Sequence, residues 1–170
     1  MSLLLSESPS LFQIRSALAQ DAEGLIQLHF RAVQAIAPSF YPSPVRAAWS
    51  PPPSPARAAW MRQTIAAPER RVLLAAAEGR LGGFAICAPE QGLMQALYVD
   101  PACTGLGLGQ RLLGAAEEAM RQAGCARVTL KASLNALGFY QAMGYRLGVA
   151  ARQPLADGVE MDCREMDKAL

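Results

Sequence analysis

Three alternate glycines, Gly105, Gly107 and Gly109, separate an apolar strand-like segment from an amphipathic helical segment. A strand that enters a helix through glycine-rich backbone leaves several N–H groups unpaired, at the end where the positive pole of the helix dipole lies. Such backbone binds anions, most naturally phosphate. A tight turn without a ligand would also need glycine, so the triplet alone leaves both interpretations open.

Two familiar nucleotide-binding designs do not fit this loop. A Walker-type loop requires Gly-Lys-Ser/Thr at the helix entry, whereas Gln110 and Arg111 follow Gly109. A dinucleotide fingerprint requires G-x-G-x-x-G and an acidic residue at the end of the next strand, where this chain has Ala132 and Ser133. We therefore expect a different kind of phosphate site.

The composition is typical of one globular domain. The chain has 170 residues, of which 52% are apolar and 18% charged, so it can bury a substantial core. The net charge of +2 and the scattered basic residues argue against a nucleic-acid or membrane partner. We expect a single domain over residues 11–170, preceded by a disordered or vector-derived start at residues 1–10.

The cysteines Cys87, Cys103, Cys125 and Cys163 are widely spaced, and the chain has one histidine. Free thiols in a reducing compartment are therefore favoured over a disulfide framework or a metal site. The sequence has no signal-peptide pattern and no transmembrane stretch. We expect a soluble, cytoplasmic protein without a metal cofactor.

The hydrophobic pattern predicts the order strand, helix, helix, three strands, helix, strand, helix, two strands. The first helix is expected from Ala22 to about Ala37 with Asp21 as N-cap, and another from near Pro55. This order predicts an α/β (α+β mixed) fold: a central mixed, mostly antiparallel sheet of about six or seven strands with helices on both faces. The helix after the glycine loop is expected to bury Leu108 and its neighbours and to expose Gln110, Glu117, Glu118 and Arg121.

Two segments resemble the signatures of one enzyme family. LYVDPACTGLGLGQRLL resembles the coenzyme A-binding motif of the GCN5-related N-acetyltransferases (GNAT), and ASLNALGFYQAMGYR resembles their second signature. Together the motifs cover roughly Leu93 to Arg146. The resemblance implies a GNAT-like fold and transfer of an acetyl group from acetyl-CoA to a primary amine of a small molecule or, less favoured, of a peptide. Thr104 departs from the motif, which usually opens with Arg or Gln.

In the resembling family, acetyl-CoA lies between two splayed parallel strands, here those ending at Asp100 and Ser133. The resemblance implies that the main chain of Leu97 and Val99 pairs with the pantetheine arm, and that the amide of Val99 or its neighbour faces the thioester oxygen. Asn135 is either a coenzyme contact or a helix cap. The implied coenzyme-binding residues are Leu97, Tyr98, Val99, Thr104, Gly105, Leu106, Gly107, Leu108, Gly109, Gln110, Asn135 and Tyr140.

The resemblance implies that Tyr140 is the general acid that protonates the departing thiolate. Relatives often place a glutamate in the strand before the loop as general base, but this chain has Gln95 there. Glu90 and His29 are the base candidates, and an amine deprotonated before it binds is a further alternative. Aromatic residues of the first two helices and their proline-rich connection are expected to bind the acceptor: Phe40, Tyr41, Trp49 and Trp60.

Two alternatives stay open at the sequence level. One is a catalytically silent acyl-CoA-binding or partner-binding module on the same fold, since the strand glutamate is missing. The other, less favoured, is a thiol nucleophile at Cys103 beside the loop. The expected partner is a small-molecule amine, and the sequence leaves a homodimer open.

Overall fold

The computed structural model describes residues 11–170, so the expectation for residues 1–10 lies outside the described residues. The helices are α1 (Ala22–Gln34), α2 (Ser43–Trp49), α3 (Pro55–Ala66), α4 (Leu108–Gln122) and α5 (Leu137–Ala142). The strands are β1 (Gln13–Ser16), β2 (Arg71–Ala77), β3 (Arg80–Ala88), β4 (Leu93–Val99), β5 (Arg127–Ser133), β6 (Arg146–Pro154) and β7 (Glu160–Ala169).

These strands form one sheet in the order β1-β2-β3-β4-β5-β7-β6. Neighbouring strands are antiparallel except β4 and β5, which are parallel because α4 returns the chain between them. The predicted mixed, mostly antiparallel sheet with helices on both faces is confirmed. No helix in the described part of the chain has both the length and the apolar character needed to cross a membrane.

The sheet separates two hydrophobic cores. On one face α4 and α5 pack through Leu108, Leu112 and Tyr140 against strand residues that include Leu130. On the other face α1 and α3 pack through Leu25 and Met61 against a second set of strand residues, including Phe84. A site between β4 and β5 therefore has α4 and α5 on one side of the sheet and α1 and α3 on the other.

Local sequence signals account for two helix starts. Ser54 accepts a hydrogen bond from the Arg57 N–H at 3.2 Å, and Pro55 takes the first helical position of α3, as predicted. Asp21 stands at the predicted N-cap of α1, but its carboxylate accepts from the Leu18 N–H at 2.7 Å instead of from the helix. The first helix ends at Gln34, three residues before the predicted end.

The expectation that Glu117 is exposed is wrong. Its side chain is buried between α4 and β7, where it accepts from the Tyr145 hydroxyl at 2.9 Å and from Lys168 Nζ at 3.0 Å. These two donors come from residues far along the chain, so the helical periodicity of α4 could not reveal them. The carboxylate is buried because it is both paired and hydrogen-bonded.

We predict that Glu117→Ala lowers the free energy of unfolding by about 2 to 3 kcal/mol, because it leaves the Lys168 ammonium and the Tyr145 hydroxyl without their acceptor. Denaturant unfolding measures this effect. The matched control is Glu118→Ala, one residue along the same helix and exposed, which should change stability by less than about 0.5 kcal/mol. Equal losses for the two variants would contradict the importance of the buried cluster.

Candidate active site

The parallel ladder between β4 and β5 consists of a single residue pair, Leu93 with Thr129. Beyond this pair the strands diverge, because β4 stays paired with β3 and β5 stays paired with β7 up to its end at Ser133. The gap opens into a cavity of about 510 Å³. Its lining residues are Trp49, Leu93, Met94, Gln95, Ala96, Leu97, Tyr98, Leu130, Lys131, Ala132, Ser133, Ala136, Tyr140, Gln153, Leu155, Met161 and Cys163.

A bulge at Gln95 turns the backbone of β4 toward the gap. The register between β3 and β4 skips Gln95, since Ala96 pairs with Ile86 and Met94 with Cys87. The Asp100 N–H donates to the Gly82 carbonyl at 2.8 Å, which fixes which residues of β4 bond to β3. Because antiparallel strands bond at alternate residues, the polar groups of two residues point away from β3, toward the gap. These residues are Leu97 and Val99.

The glycine loop leads directly into α4. Gly105 and Gly107 have φ angles of 78° and 75°, which residues with a side chain rarely adopt, and Gly107 is the N-cap of the helix. The first intrahelical bond runs from the Arg111 N–H to the Gly107 carbonyl, so the amides of the preceding turn have no helical acceptor. The ring of Phe139 lies against Gly109, at 3.4 Å from where a Cβ would stand.

Side chains around the loop serve its local structure. The Thr104 hydroxyl donates to the Pro101 carbonyl at 3.2 Å, and Arg111 Nη2 donates to the Phe12 carbonyl at 2.7 Å. Asp100 caps the turn after β4 by accepting from the Ala102 N–H at 2.9 Å. Burial alone would raise the pKa of Asp100, but this bond and those from Arg31 hold the pKa below its usual value. The polar groups that the glycines of the loop can offer to a ligand are therefore those of the backbone.

Tyr140 lies on α5 with its side chain 7% exposed and borders the cavity. Its hydroxyl has no hydrogen-bond partner among residues 11–170. Its ring contacts those of Phe139 and Tyr145, with centroids 5.2 Å and 5.4 Å away. Burial, and then the proximity of Tyr98, raises the pKa of Tyr140, so the phenol is protonated at neutral pH.

Tyr98 and Trp49 form the wall on the opposite side of the sheet from α4. Trp49 Nε1 donates to the Tyr98 hydroxyl at 3.0 Å. Burial raises the pKa of Tyr98 to about 12, despite this bond and the charge of Arg57. Both side chains line the cavity, so the sequence-predicted Trp49 and Tyr98 come together with Tyr140.

The other predicted acceptor residues lie apart from this wall. Tyr41 is buried, and its hydroxyl donates to the Asp162 carbonyl at 2.5 Å and accepts from the Leu134 N–H at 2.8 Å. Phe40 is exposed beside a smaller neighbouring cavity, which Tyr41 also lines. Trp60 is exposed on α3 and borders none of the described cavities.

His29 lies on α1, where Nδ1 is 2.9 Å from both Arg57 Nη2 and Ser50 Oγ. A guanidinium can only donate, so Nδ1 accepts and the neutral ring carries its proton on Nε2. Burial, and then the Arg57 charge, lowers the pKa of His29 to about 4. The ring packs edge-on against Tyr98, with centroids 4.4 Å apart, and does not line the cavity.

The remaining sequence candidates are also outside the cavity wall. Glu90 is exposed in the turn before β4, at the end of that strand remote from the glycine loop. Asn135 is exposed in the short turn between β5 and α5. Cys103 is fully buried in the core beside α4, and this burial argues against a thiol nucleophile.

Lys131 lines the cavity although sequence reasoning did not single it out. Val128, Leu130 and Ala132 of the same strand are buried in the core that contains α4, so Lys131 points to the other face. The sequence signal that could have revealed Lys131 is the strict alternation of apolar and polar residues in RVTLKAS, on a strand expected beside β4. Cys163 and Gln153 reach the cavity from the β6–β7 hairpin, whose position the sequence did not reveal.

Comparison with known proteins assigns the family. The sequence model described as "Acetyltransferase (GNAT) family" matches residues 30–145. The chain therefore belongs to the GNAT acetyltransferase family, and it is an acetyltransferase. Comparison with curated proteins gives no match.

Solved structures of the same fold agree with this assignment. A GCN5-related N-acetyltransferase from Rhodopseudomonas palustris is 24% identical with a TM-score of 0.81, over 99% of this chain and 100% of that one. A ribosomal-protein-alanine N-acetyltransferase from Brucella melitensis is 22% identical, with a TM-score of 0.69 over 93% and 99%. A phosphinothricin acetyltransferase from Sinorhizobium meliloti, in complex with acetyl-CoA, is 19% identical, with a TM-score of 0.65 over 94% and 89%.

The pKa of His29, the single histidine of the chain, can be measured by NMR titration and should be about 4. Arg57→Gln should raise this pKa, but it should stay below the ordinary 6.5 because burial is the larger cause. The matched control is Arg62→Gln on the same helix, where Arg62 pairs with Glu23 and not with His29.

This titration also affects stability. The His29 ring takes up a proton near pH 6.5 in the unfolded chain but only near pH 4 in the folded chain. The neutral ring therefore makes its full contribution to the free energy of unfolding above pH 6.5. That contribution should be lost as the pH falls from 6.5 to 4. If the NMR titration of His29 in the wild-type protein had its midpoint near pH 6.5, the ring would not be buried and bound to Arg57 as described.

Proposed function

We propose that the protein transfers an acetyl group from acetyl-CoA directly to a primary amine of a small molecule. The observation that carries this proposal is the position of the unpartnered Tyr140 hydroxyl beside the gap into which the backbone of β4 points. Tyr140 lines the cavity, so its hydroxyl, which has no partner among the described residues, is open to a ligand or water there. A coenzyme whose reacting sulfur lies in the gap would be such a ligand.

The coenzyme would bind with its pyrophosphate on the amides of the glycine loop and the first turn of α4. Its pantetheine arm would then run along β4 from the loop toward the bulge, adding main-chain hydrogen bonds with Val99 and Leu97 like an extra strand. The thioester lies at the far end of this arm, which favours the Leu97 N–H as donor to the carbonyl oxygen. This donor would stabilise the negative charge of the tetrahedral intermediate.

Chemistry follows from this placement. The amine nitrogen attacks the thioester carbon, the carbon–sulfur bond breaks, and the acetyl group stays on nitrogen. The departing thiolate takes the proton of Tyr140, and the proton that the attacking nitrogen loses as it becomes an amide returns through water to the phenolate. The raised pKa of Tyr140 keeps the proton in place until the negative sulfur develops beside it.

No carboxylate is found among the described residues that line the cavity. Glu90 lies in a remote turn, and His29, with its low pKa and its Nδ1 engaged, is a weak base. This arrangement supports an acceptor amine that loses its proton to water before it attacks. The rate should then follow the fraction of neutral amine as the pH rises.

Replacing Tyr140 by Phe should lower kcat by about 10²-fold while leaving the Kd for acetyl-CoA within about twofold, because only the proton donor is removed. Thiol release and calorimetry measure the two quantities. Tyr145→Phe is the matched control: its ring is 5.4 Å away but its hydroxyl binds Glu117, so kcat should stay near wild type. An unchanged kcat in Tyr140→Phe would exclude Tyr140 as the acid.

The loop itself can be tested with Gly107→Glu, which places a carboxylate where the pyrophosphate is proposed to bind. Coenzyme A affinity, measured by calorimetry, should fall at least about tenfold by charge repulsion. Gly124→Glu is the matched control, since Gly124 has a φ of 85°, open space around it and a position at the other end of α4. Unchanged affinity in Gly107→Glu would refute coenzyme binding at this loop.

A further inference from the structure

The cavity wall on the side of Trp49 and Tyr98 carries positive charge that no carboxylate of the wall neutralises. Among the described residues that line the cavity, Lys131 alone is charged. The others are apolar, aromatic or neutral polar side chains. A cationic acceptor would therefore meet a like charge at the place where it has to bind.

Lys131 is exposed and lines this cavity. Its side chain points to the face of the sheet that carries Tyr98, because its strand neighbours pack toward α4. Cys163 lines the same cavity. Burial raises the pKa of its thiol, the charge of Lys131 lowers it, and the charges of Asp162 and Glu165 raise it further. The ammonium is thus close enough to Cys163 to act on it electrostatically.

Lys131 has no ion-pair partner within residues 11–170. Glu165 is its cross-strand neighbour on β7 and lines an adjacent cavity that Lys131 also borders, but the two form no salt bridge. Asp167, in that same cavity, is held by Arg127 and Arg146. The charge of Lys131 is therefore available to a ligand.

A second cation lies behind the aromatic wall. The Arg57 guanidinium donates only to neutral acceptors, which are Pro51 O, Ser50 Oγ and His29 Nδ1. Its charge acts on Tyr98 by lowering the pKa against the effect of burial. A second positive charge therefore acts on Tyr98, which lines the cavity together with Lys131.

Three further carboxylates near the cavity are engaged by arginines. Glu160 and Asp162 line the smaller cavity at the β6–β7 hairpin, where Arg152 pairs with both at 3.4 Å and 3.5 Å. Asp100 is engaged by Arg31 at 2.5 Å. The acceptor side of the site thus combines an aromatic wall with the charge of Lys131, which forms no salt bridge among the described residues.

We propose that the acceptor is an amine that also carries a carboxylate, as an α-amino acid does, and that Lys131 binds this carboxylate beside Trp49 and Tyr98. The inference rests on the proposed acetyl transfer. A hydrogen bond between ammonium and carboxylate is charge-assisted and directional enough to orient a small molecule. The neighbouring amino group would then face the gap and its thioester.

The test compares a panel of L-amino acids with their amides, at equal concentrations of neutral amine, because the amide form has the lower amine pKa. Wild type should acetylate at least one acid with a kcat/KM about tenfold or more above that of its amide. Lys131→Met should lower kcat/KM for that acid about tenfold while sparing the amide and the KM for acetyl-CoA. Arg127→Met, on the same strand and face but outside the cavity, should keep the preference.

Four results would overturn the inference. Wild type that prefers amides or polyamines, or a Lys131→Met variant that loses acid and amide activity equally, would refute carboxylate recognition while leaving acetyl transfer intact. A rise in the KM for acetyl-CoA in Lys131→Met would show that the Lys131 ammonium contacts the coenzyme instead of the acceptor. No thiol release with any amine, although acetyl-CoA binds, would overturn the proposed function and this inference with it.

Discussion

The interrupted ladder between β4 and β5 is the constraint on which the site depends. Antiparallel partners hold each strand over nearly its whole length, so neither strand can follow the other beyond the pair Leu93 and Thr129. The main-chain groups of Leu97 and Val99 then face a cavity instead of a strand. Backbone polar groups in a half-buried gap need a partner, and an extended ligand is a suitable one.

Other contacts keep the gap at its width. Tyr41 joins the connection after α1 to the Leu134 N–H and the Asp162 carbonyl, and so ties the helical face to the ends of β5 and β7. On the opposite face, Phe139 packs against Gly109. Both contacts bring together parts of the chain that are far apart in sequence, which explains why a signature motif alone cannot supply the geometry of the site.

The sequence predicted the element order, the mixed sheet and the glycine loop because each depends on local patterns: strand alternation, helix periodicity and glycine at positive φ. The sequence also named Tyr140, through a family motif, and Trp49, and both line the cavity. The bulge at Gln95, the burial of Glu117 and the position of Lys131 were not predicted. Each of these depends on which strands are neighbours and in what register, and register is set by long-range pairing.

The contact between Phe139 and Gly109 also fixes a length. The same ring lies 5.2 Å from that of Tyr140, so the first turn of α4 and the phenol are joined through one aromatic residue. Under the proposed function, an acyl carrier would fit only if its arm spanned the distance from that turn to the phenol. Carriers with a shorter or longer arm would then present their carbonyl out of register with the proposed donor and acid, so arm length would select the acyl donor.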